Sequence, residues 1–365
     1  MTGAPDNPRQ PRHTPRIALL TCRHHDHIDH ASEGRLMQEL VRQGAVVQLA
    51  AWDDVLTPIK EEDGPLVGQL VDANVLVLRT TWDYWDRLDR FREFLTVLGE
   101  SEDNGGGLQN STNTALANLD KTYLQELQTA GVPIVPTIFV TQGNEPAAID
   151  QAKSNNWTTI VIKPTVGAAA SGLKKFDRPD TQALDYLREL TKSGGALVQK
   201  YLPRITTEGE TSLVYFDGTF SHAVTKVPAK GDFRSQTDFG GVYTLVEPTE
   251  AQTHVAEFAL TAWEDRYGDK PLYARVDLVP GDDGQPLLGE LELIEPELFL
   301  DMAEGAAEIF ASAILARVEQ PHEKDPRSYL WTLAGMGVLV VVLGVFSVGA
   351  GVIVNRIAGW LGGGP

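Results

Sequence analysis

Apolar and polar residues follow two periods along this chain. The first apolar run, RIALLTC from Arg16 to Cys22, has strand length, and from Ser32 to Gln43 the apolar positions recur at helical spacing until Gly44 closes the pattern. A second apolar strand, AVVQLAAW, follows at once, so the chain opens as a βαβ unit, which calls for a parallel sheet. ANVLVLR reads as a third strand and YWDRLDRFREFLTVLG as the amphipathic helix after it, with SEDNGGG (Ser101 to Gly107) as a surface loop. Past Asn110 the texture changes. A helix, LANLDKTYLQELQTAG, precedes strand pieces around IVPTIFV, the strand TTIVIKP, a small-residue loop TVGAAASG, a helix near Thr181 to Ser193 and the strand ALVQKYL. ETSLVYFDGTFSHAVTKV then reads as an antiparallel pair turned at Asp217-Gly218. After the helix AQTHVAEFALTAWEDRYG, the strands PLYARVDLV and PLLGELELIEP pair about the turn PGDDGQ. The pattern predicts an α/β (α+β) chain: a tail over 1–15, an N-terminal parallel-sheet domain over 16–110, a second domain over 111–318 and a polar linker over 319–328.

From Tyr329 to Val354 about 26 residues carry no charge, long enough to cross a hydrocarbon core of ~30 Å, so a C-terminal transmembrane helix is expected over 329–354. Tyr329 and Trp331 at one end and Trp360 beyond the other suit interfacial anchors. Lys324 and Arg327 precede the span and Arg356 follows it; this basic bias places the large domain on the cytoplasmic side of a single-pass anchor in the cell membrane. Ser347 and Gly351, four apart, allow two spans to pack closely, so a homo-oligomer is a further expectation.

Charge and cysteine narrow the function classes. A formal net charge of −19 argues against a general nucleic-acid binder, which needs basic patches for phosphate backbones. A lone cysteine, Cys22, excludes an internal disulfide framework and suits a reducing compartment. Pro5, Pro8, Pro11 and Pro15 fall in a tail without an apolar run, which reads as disordered chain and not as a signal peptide.

Candidate chemistry gathers in the second half. In GELELIEPELF the strand period projects Glu290 and Glu292 from one face, with Glu295 before Pro296. Two carboxylates one strand repeat apart, roughly 7 Å, hold hard cations if that face lines a cleft and are plain surface charge if it meets water. Lys163 interrupts the apolar strand IVIKP and needs an anionic partner or an exit to solvent. The loop from Gly167 to Gly172 exposes backbone N–H groups that can close over phosphates, or is merely a turn, and Lys121 is a second candidate cation. No G-x-G-x-x-G follows the first strand and no G-x-x-x-x-G-K-[ST] occurs. CRHHDHIDH brings Cys22, His24, His25, His27 and His30 together; its spacing matches no standard zinc finger, and a polar substrate-facing loop at the end of the first strand is preferred to a structural metal.

Taken in order, Lys121, Lys163-Pro164 with its loop, LVQKYL, EGE, Arg234, Asp277 and GELELIEP resemble the ATP-grasp enzymes, in their glutathione-synthetase-like branch. ALLTC, RTTWDY (79–84), KGDFRSQTDFGG (230–241), YARVDLV and ELIEPELFLD carry a nearer likeness to the cyclo-ligase of cycloserine biosynthesis, over about residues 16 to 318. The resemblance implies an ATP-grasp fold behind an N-terminal parallel-sheet domain, with ATP and two magnesium ions, or manganese in their place, as cofactors. It implies Lys121 and Lys163 on the α- and β-phosphates, and the loop with Gly167, Ser171 and Gly172 over the triphosphate. Backbone groups of Gln199 to Leu202 would read the adenine edge, Tyr201 and Leu202 would wall the base, and Glu208 would take the ribose, with Glu210 competing. Asp277, Glu290 and Glu292 would be metal ligands, Glu292 standing where the family usually has asparagine. Lys226 and Arg234 would lie near the γ-phosphate, and Arg275 would hold the acyl-phosphate oxygen. Arg23, Arg79, Asp83 and Glu295 are the candidate contacts for a small-molecule carboxylate substrate. The expected activity is ADP-forming ligation through an acyl phosphate, closing a ring on a small amino acid derivative such as O-ureidoserine. The alternatives are an amino acid or peptide ligase and a non-catalytic, membrane-tethered ATP sensor.

Overall fold

The two periods of the sequence sort into three sheets in the computed structural model, which describes residues 14–23, 30–54, 73–101, 107–168, 170–235 and 239–319. The first is parallel throughout, in the order β2-β1-β3-β4: β1 (Arg16–Thr21), β2 (Val46–Ala51), β3 (Val75–Thr80) and β4 (Gly107–Gln109). Alternate residues serve opposite faces. Ile17, Leu19, Val75 and Val77 pack on Leu36 and Leu40 of α1 (His30–Arg42), while Ala18, Leu20, Leu76 and Leu78 pack on Phe91 and Phe94 of α2 (Leu88–Ser101). Such two-faced burial is why these strands read as continuous apolar runs.

Past Asn110 the chain builds two antiparallel sheets. One, in the order β5-β8-β6-β7, holds β5 (Thr137–Val140), β6 (Ile160–Pro164), β7 (Lys174–Phe176) and β8 (Ala196–Lys200). Its apolar face rests on α5 (Glu145–Ser154) and α6 (Thr181–Leu190) through Ala148, Ile149, Ala183 and Leu187. The other, β11-β10-β9-β12-β13, holds β9 (Glu210–Phe216), β10 (Thr219–Val227), β11 (Val242–Val246), β12 (Tyr273–Pro280) and β13 (Pro286–Glu292). It is backed by α8 (Glu250–Tyr267), whose Thr249 side chain forms a capping box with Gln252.

Three features depart from the sequence reading. The single helix expected over LANLDKTYLQELQTAG is two, α3 (Thr112–Asn118) and α4 (Tyr123–Thr129). Asp120 breaks it: its carboxylate accepts from the Thr122 N–H at 2.9 Å and from Thr165 Oγ1 at 3.0 Å, a local alternative to the helix ladder. A helix that the strand-rich texture concealed, α9 (Ala306–Glu319), returns to the first sheet and buries Phe310 and Ile314 beside Leu36 and Leu40. Asn110, expected as a domain boundary, is a buried joint: its Nδ2 donates to the carbonyls of Tyr273 and Leu293, both at 2.8 Å, and its Oδ1 accepts from the Leu272 N–H at 2.6 Å.

Among the described residues no helix is long and apolar enough to cross a membrane. The expected span over 329–354, its linker, residues 1–13 of the tail, and His24, His25 and His27 lie outside the described residues, as does the side chain of His30.

Candidate active site

Strand register assembles the site. β12 and β13 pair Arg275 with Glu292 and Asp277 with Glu290; β9 sets Ser212 opposite Asp277, and β10 sets Lys226 opposite Glu210. By the strand period all seven side chains project from one face of the sheet, while Leu213, Tyr215, Val276 and Leu291 turn to α8 on the other. The edge of β13 is closed by side chains: Tyr123 Oη accepts from the Leu291 N–H at 2.9 Å and Asn118 Oδ1 from the Leu293 N–H at 2.9 Å.

On this face charges pair into a chain. The Asp277 carboxylate accepts from Arg275 at 2.9 and 3.0 Å, from Ser212 Oγ at 2.5 Å and from Lys226 Nζ at 3.3 Å. Lys226 also pairs with Glu210, and Arg275 with Glu292. Glu290 reaches across to the second sheet, its oxygens 3.2 Å from Lys121 Nζ and 3.6 Å from Lys163 Nζ. The helix break at Asp120 is what delivers Lys121, whose N–H bonds Thr165 O at 2.8 Å and whose Nζ donates to Gly167 O at 2.7 Å.

Five carboxylates (Glu210, Asp277, Glu290, Glu292, Glu295) thus share four cations (Lys121, Lys163, Lys226, Arg275), and the excess shows in their proton affinities. Burial raises Asp277, yet Arg275 and Lys226 hold it below the ordinary carboxylate range; Lys121 and Lys163 do the same for Glu290. Glu292 is pushed up to about 7 by burial and by Asp277 and Glu290, against the pull of Arg275. Burial, then Glu292, pushes Glu295 up to about 8. Asp277, Glu290 and Glu292 do not converge as a ready-made metal site among the described residues, because the ammonium and guanidinium groups stand between them. The oxygen-only donors and their surplus negative charge fit hard divalent cations, and the same lysines fit phosphates once a cation frees them.

The loop after β6 is shaped by backbone. Gly172 has φ +70°, and a Cβ there would meet Pro164 at 3.0 Å; Tyr186 Oη donates to its carbonyl at 2.6 Å, and the half-buried Ser171 bonds back to Ala168 O. By register Val161, Lys163, Lys175 and Gln199 share the face turned to the charged sheet. Lys175 Nζ lies 4.8 Å over the Tyr201 ring, in a recess of about 770 Å³ between β7, the segment after β8 and residues 229–234. The N–H of Lys200 goes to Pro136 O and that of Tyr201 to Thr159 O, leaving the Leu202 N–H without a backbone partner among the described residues, free to read a base edge. The Gln199 side chain is held by Thr137 Oγ1 at 2.9 Å.

Several expected residues stand elsewhere. Glu208 ends the short helix α7 (Ile205–Glu208), exposed and paired with Arg204 at 2.8 Å; after Gly209, at φ +81°, it is Glu210 that enters the cleft. Arg234 does not join Lys226 and Arg275: it grips Asp232 at 2.7 Å and stacks over Phe239 at 3.6 Å, at the rim of the recess. Arg79 is 2% exposed, donates to Glu33 at 2.6 Å and to Pro296 O at 3.3 Å, and lies over the rings of Tyr273 and Phe310. It locks the first sheet to the segment after β13 and is closed to a substrate. Asp83 accepts from Trp52 Nε1 at 2.7 Å and pairs with Arg87, while Arg23 is half exposed and paired with Asp53 and Asp54. Only Glu295 of this group lies beside the charged cleft, its carboxyl near enough to Glu292, Lys121 and Glu290 to feel their charges and its carbonyl accepting from Trp82 Nε1 at 3.0 Å.

Comparison with known proteins agrees with this geometry. Residues 17–104 match the family described as the N-terminal domain of D-cycloserine synthetase DcsG, and residues 123–265 match the ATP-grasp domain of prokaryotic glutathione synthetase. The cycloserine biosynthesis protein DcsG of Streptomyces lavendulae is 32% identical over 276 residues, 71% of this chain and 87% of that one. The glutathione synthetase of Prochlorococcus marinus (strain MIT 9313) is 25% identical over 51% of this chain and 56% of its own. The crystal structure of D-cycloserine synthetase DcsG superposes with a TM-score of 0.72 at 27% identity, covering 83% of this chain and all of that one. A D-alanine–D-alanine ligase from Bacillus anthracis, complexed with ATP, shares the fold at a TM-score of 0.58 and 16% identity over 83% of this chain and 97% of that one. The chain belongs to the ATP-grasp ligases of the glutathione-synthetase type, in the family of the D-cycloserine synthetase DcsG.

Proposed function

We propose that the protein uses ATP to activate the carboxylate of a small amino acid derivative as an acyl phosphate, and that a nitrogen of the same molecule then closes the ring, with O-ureidoserine as the favoured substrate. The observation that carries the reading is the single charged face in which Lys226 and Arg275 flank Asp277, opposite Lys121 and Lys163. In-line transfer of a phosphoryl group asks for positioning and for cations around the transferring oxygens, and no covalent enzyme intermediate. Lys121 and Lys163 would hold the phosphates, Leu202 N–H and Tyr201 the base, and Glu210 the ribose side of the cleft. Asp277, Glu290 and Glu292 would hold magnesium, which neutralises charge on the phosphates. Arg275 would orient the carboxylate that attacks. Likeness to the cycloserine synthetase over both the first sheet and the ATP-grasp region supports a substrate of its class.

The test is mass-spectrometric product analysis of the full chain in detergent, with magnesium, ATP and a panel of amino acids that includes both O-ureidoserine enantiomers. A cyclised product matched by ADP is expected; ADP matched by a linear amide would replace ring closure with amide ligation, and ATP binding without ADP from any panel member would favour a sensor. We also propose that residues 329–354 tether the catalytic part to the cytoplasmic face of the membrane, supported by their uncharged length. Fractionation of cells expressing the chain with and without 325–365 checks this, and equal distribution of both forms would refute it.

A further inference from the structure

The five-stranded sheet has a second polar feature, on the side turned to α8 and away from the charged cleft. Tyr215 of β9 is 1% exposed, and its hydroxyl has no hydrogen-bond partner among the described residues. A buried hydroxyl left unpaired is costly, and most such groups in folded proteins are met by something. Tyr215 lines the floor of a surface groove of about 270 Å³, beside Ala274, its register partner on β12. One wall of the groove is α8, where Glu257, Leu260 and Glu264 stand at i, i+3 and i+7 and so share one stripe. Neither carboxylate has an ion-pair partner among the described residues. The opposite wall carries a cation. Lys270 lies across the β9–β10 turn because Gly218, at φ +73°, has no side chain; a Cβ there would meet Lys270 Cε at 2.5 Å. Asp217 bonds Arg317 at 2.7 Å and stands 3.7 Å from Lys270 Nζ, so the ammonium keeps donors for another anion.

Two carboxylates, one ammonium and a buried hydroxyl thus surround an apolar strip of Leu260, Pro271 and Ala274. Glu257 and Glu264 are two turns apart, roughly 10 Å along the helix axis, a spacing that suits two separated positive charges better than one metal ion. A basic α-amino acid is the charge complement of this set: two cationic groups, one carboxylate and an alkyl chain between. We propose that the groove binds a basic α-amino acid such as lysine, its carboxylate on Lys270 and the Tyr215 hydroxyl, its two cationic groups on Glu257 and Glu264, and its chain along Leu260 and Ala274. Burial and the Glu257 carboxylate make the Tyr215 hydroxyl harder to ionise, so it stays a donor for the ligand's carboxylate. The site shares β9 and β12 with the catalytic face, Ala274 preceding Arg275 and Tyr215 following Val214, but uses none of its side chains.

Isothermal titration of the full-length protein in detergent, with EDTA and without ATP, reads the site directly, with lysine as the probe. Norleucine, which lacks the side-chain cation, and cadaverine, which lacks the carboxylate, each bind at least about threefold more weakly than lysine. Tyr215→Phe removes only the hydroxyl and weakens lysine about tenfold, the scale of a hydrogen bond to a charged group. Glu257→Gln and Glu264→Gln each weaken it about threefold, and the double variant about tenfold, as exposed ion pairs do. Asp277→Asn, in the catalytic cleft, leaves lysine binding unchanged. Absence of lysine binding at millimolar concentration overturns the proposal, as does equal affinity in the parent, Tyr215→Phe and the double variant. Affinity lost with Asp277→Asn and kept in the groove variants places the amino acid in the catalytic cleft and overturns it too.

Discussion

Glutamine at position 290 separates two roles of one carboxylate. Glu290 lies 3.2 Å from Lys121 and 3.6 Å from Lys163, with the lysine side chains 9% and 13% exposed and its own 27%. On the proposed reading ATP would use the same two ammonium groups, so nucleotide would compete with Glu290 unless a divalent cation held the carboxylate. At an effective dielectric of about 20 each contact is worth about 5 kcal/mol of Coulomb energy, and desolvation leaves a net of about 1 kcal/mol apiece. Glu290→Gln would therefore tighten metal-free ATP binding about 30-fold, because about 2 kcal/mol of competition is removed. Turnover with magnesium moves the other way, by a loss of about 10²–10³-fold, the scale of removing one preorganised charge from a transition state. Calorimetric titration with ATP in EDTA measures the first number and ADP release with magnesium the second. Unchanged or weaker metal-free binding, or retained turnover, would refute the exchange of partners.

Other outcomes follow from the same charges and packing. Glu292 and Glu295 keep their protons up to about pH 7 and 8 in the folded protein, but ionise near their ordinary 4.5 when unfolded. The native state then binds more protons across that window, so in EDTA thermal stability falls as pH rises from about 4.5 to about 8, and magnesium or Glu295→Gln flattens the upper part of the slope; a stability that rises over this range would contradict the assignment. Arg79→Ala leaves Glu33 buried without its cation and lowers stability by about 3–5 kcal/mol, seen as a lower urea midpoint that Arg79→Lys does not restore. Gly209→Ala, whose Cβ would stand 2.7 Å from Thr225 and 2.8 Å from Lys226 O at φ +81°, displaces Glu210 and raises the KM for ATP in a coupled ADP assay, at a stability cost of about 1–3 kcal/mol.

Much of the cleft could be read from local pattern. Strand alternation put Glu290 and Glu292 on one face, and the odd lysine of IVIKP called for an anionic partner, here Glu290. What local pattern missed has one cause: pairing between segments distant in sequence. Lys121 looked like a helix residue until Asp120 was bonded to Thr165, 45 residues on. α9 was hidden because its apolar face is matched to α1, about 270 residues away, a partner no local period can show.

The sequence by itself determined the parallel opening, most of the strand order, the candidate lysines and carboxylates and the family, because periodicity and motif are local properties. Only the tertiary structure decided which of two neighbouring glutamates enters the cleft and which cation each carboxylate meets. It also made Arg79 a buried lock. Those outcomes depend on register and burial: a shift of one residue in a strand, or one left-handed glycine such as Gly209, sends a charge to the opposite face, and the free energy of a charge is set by what it faces.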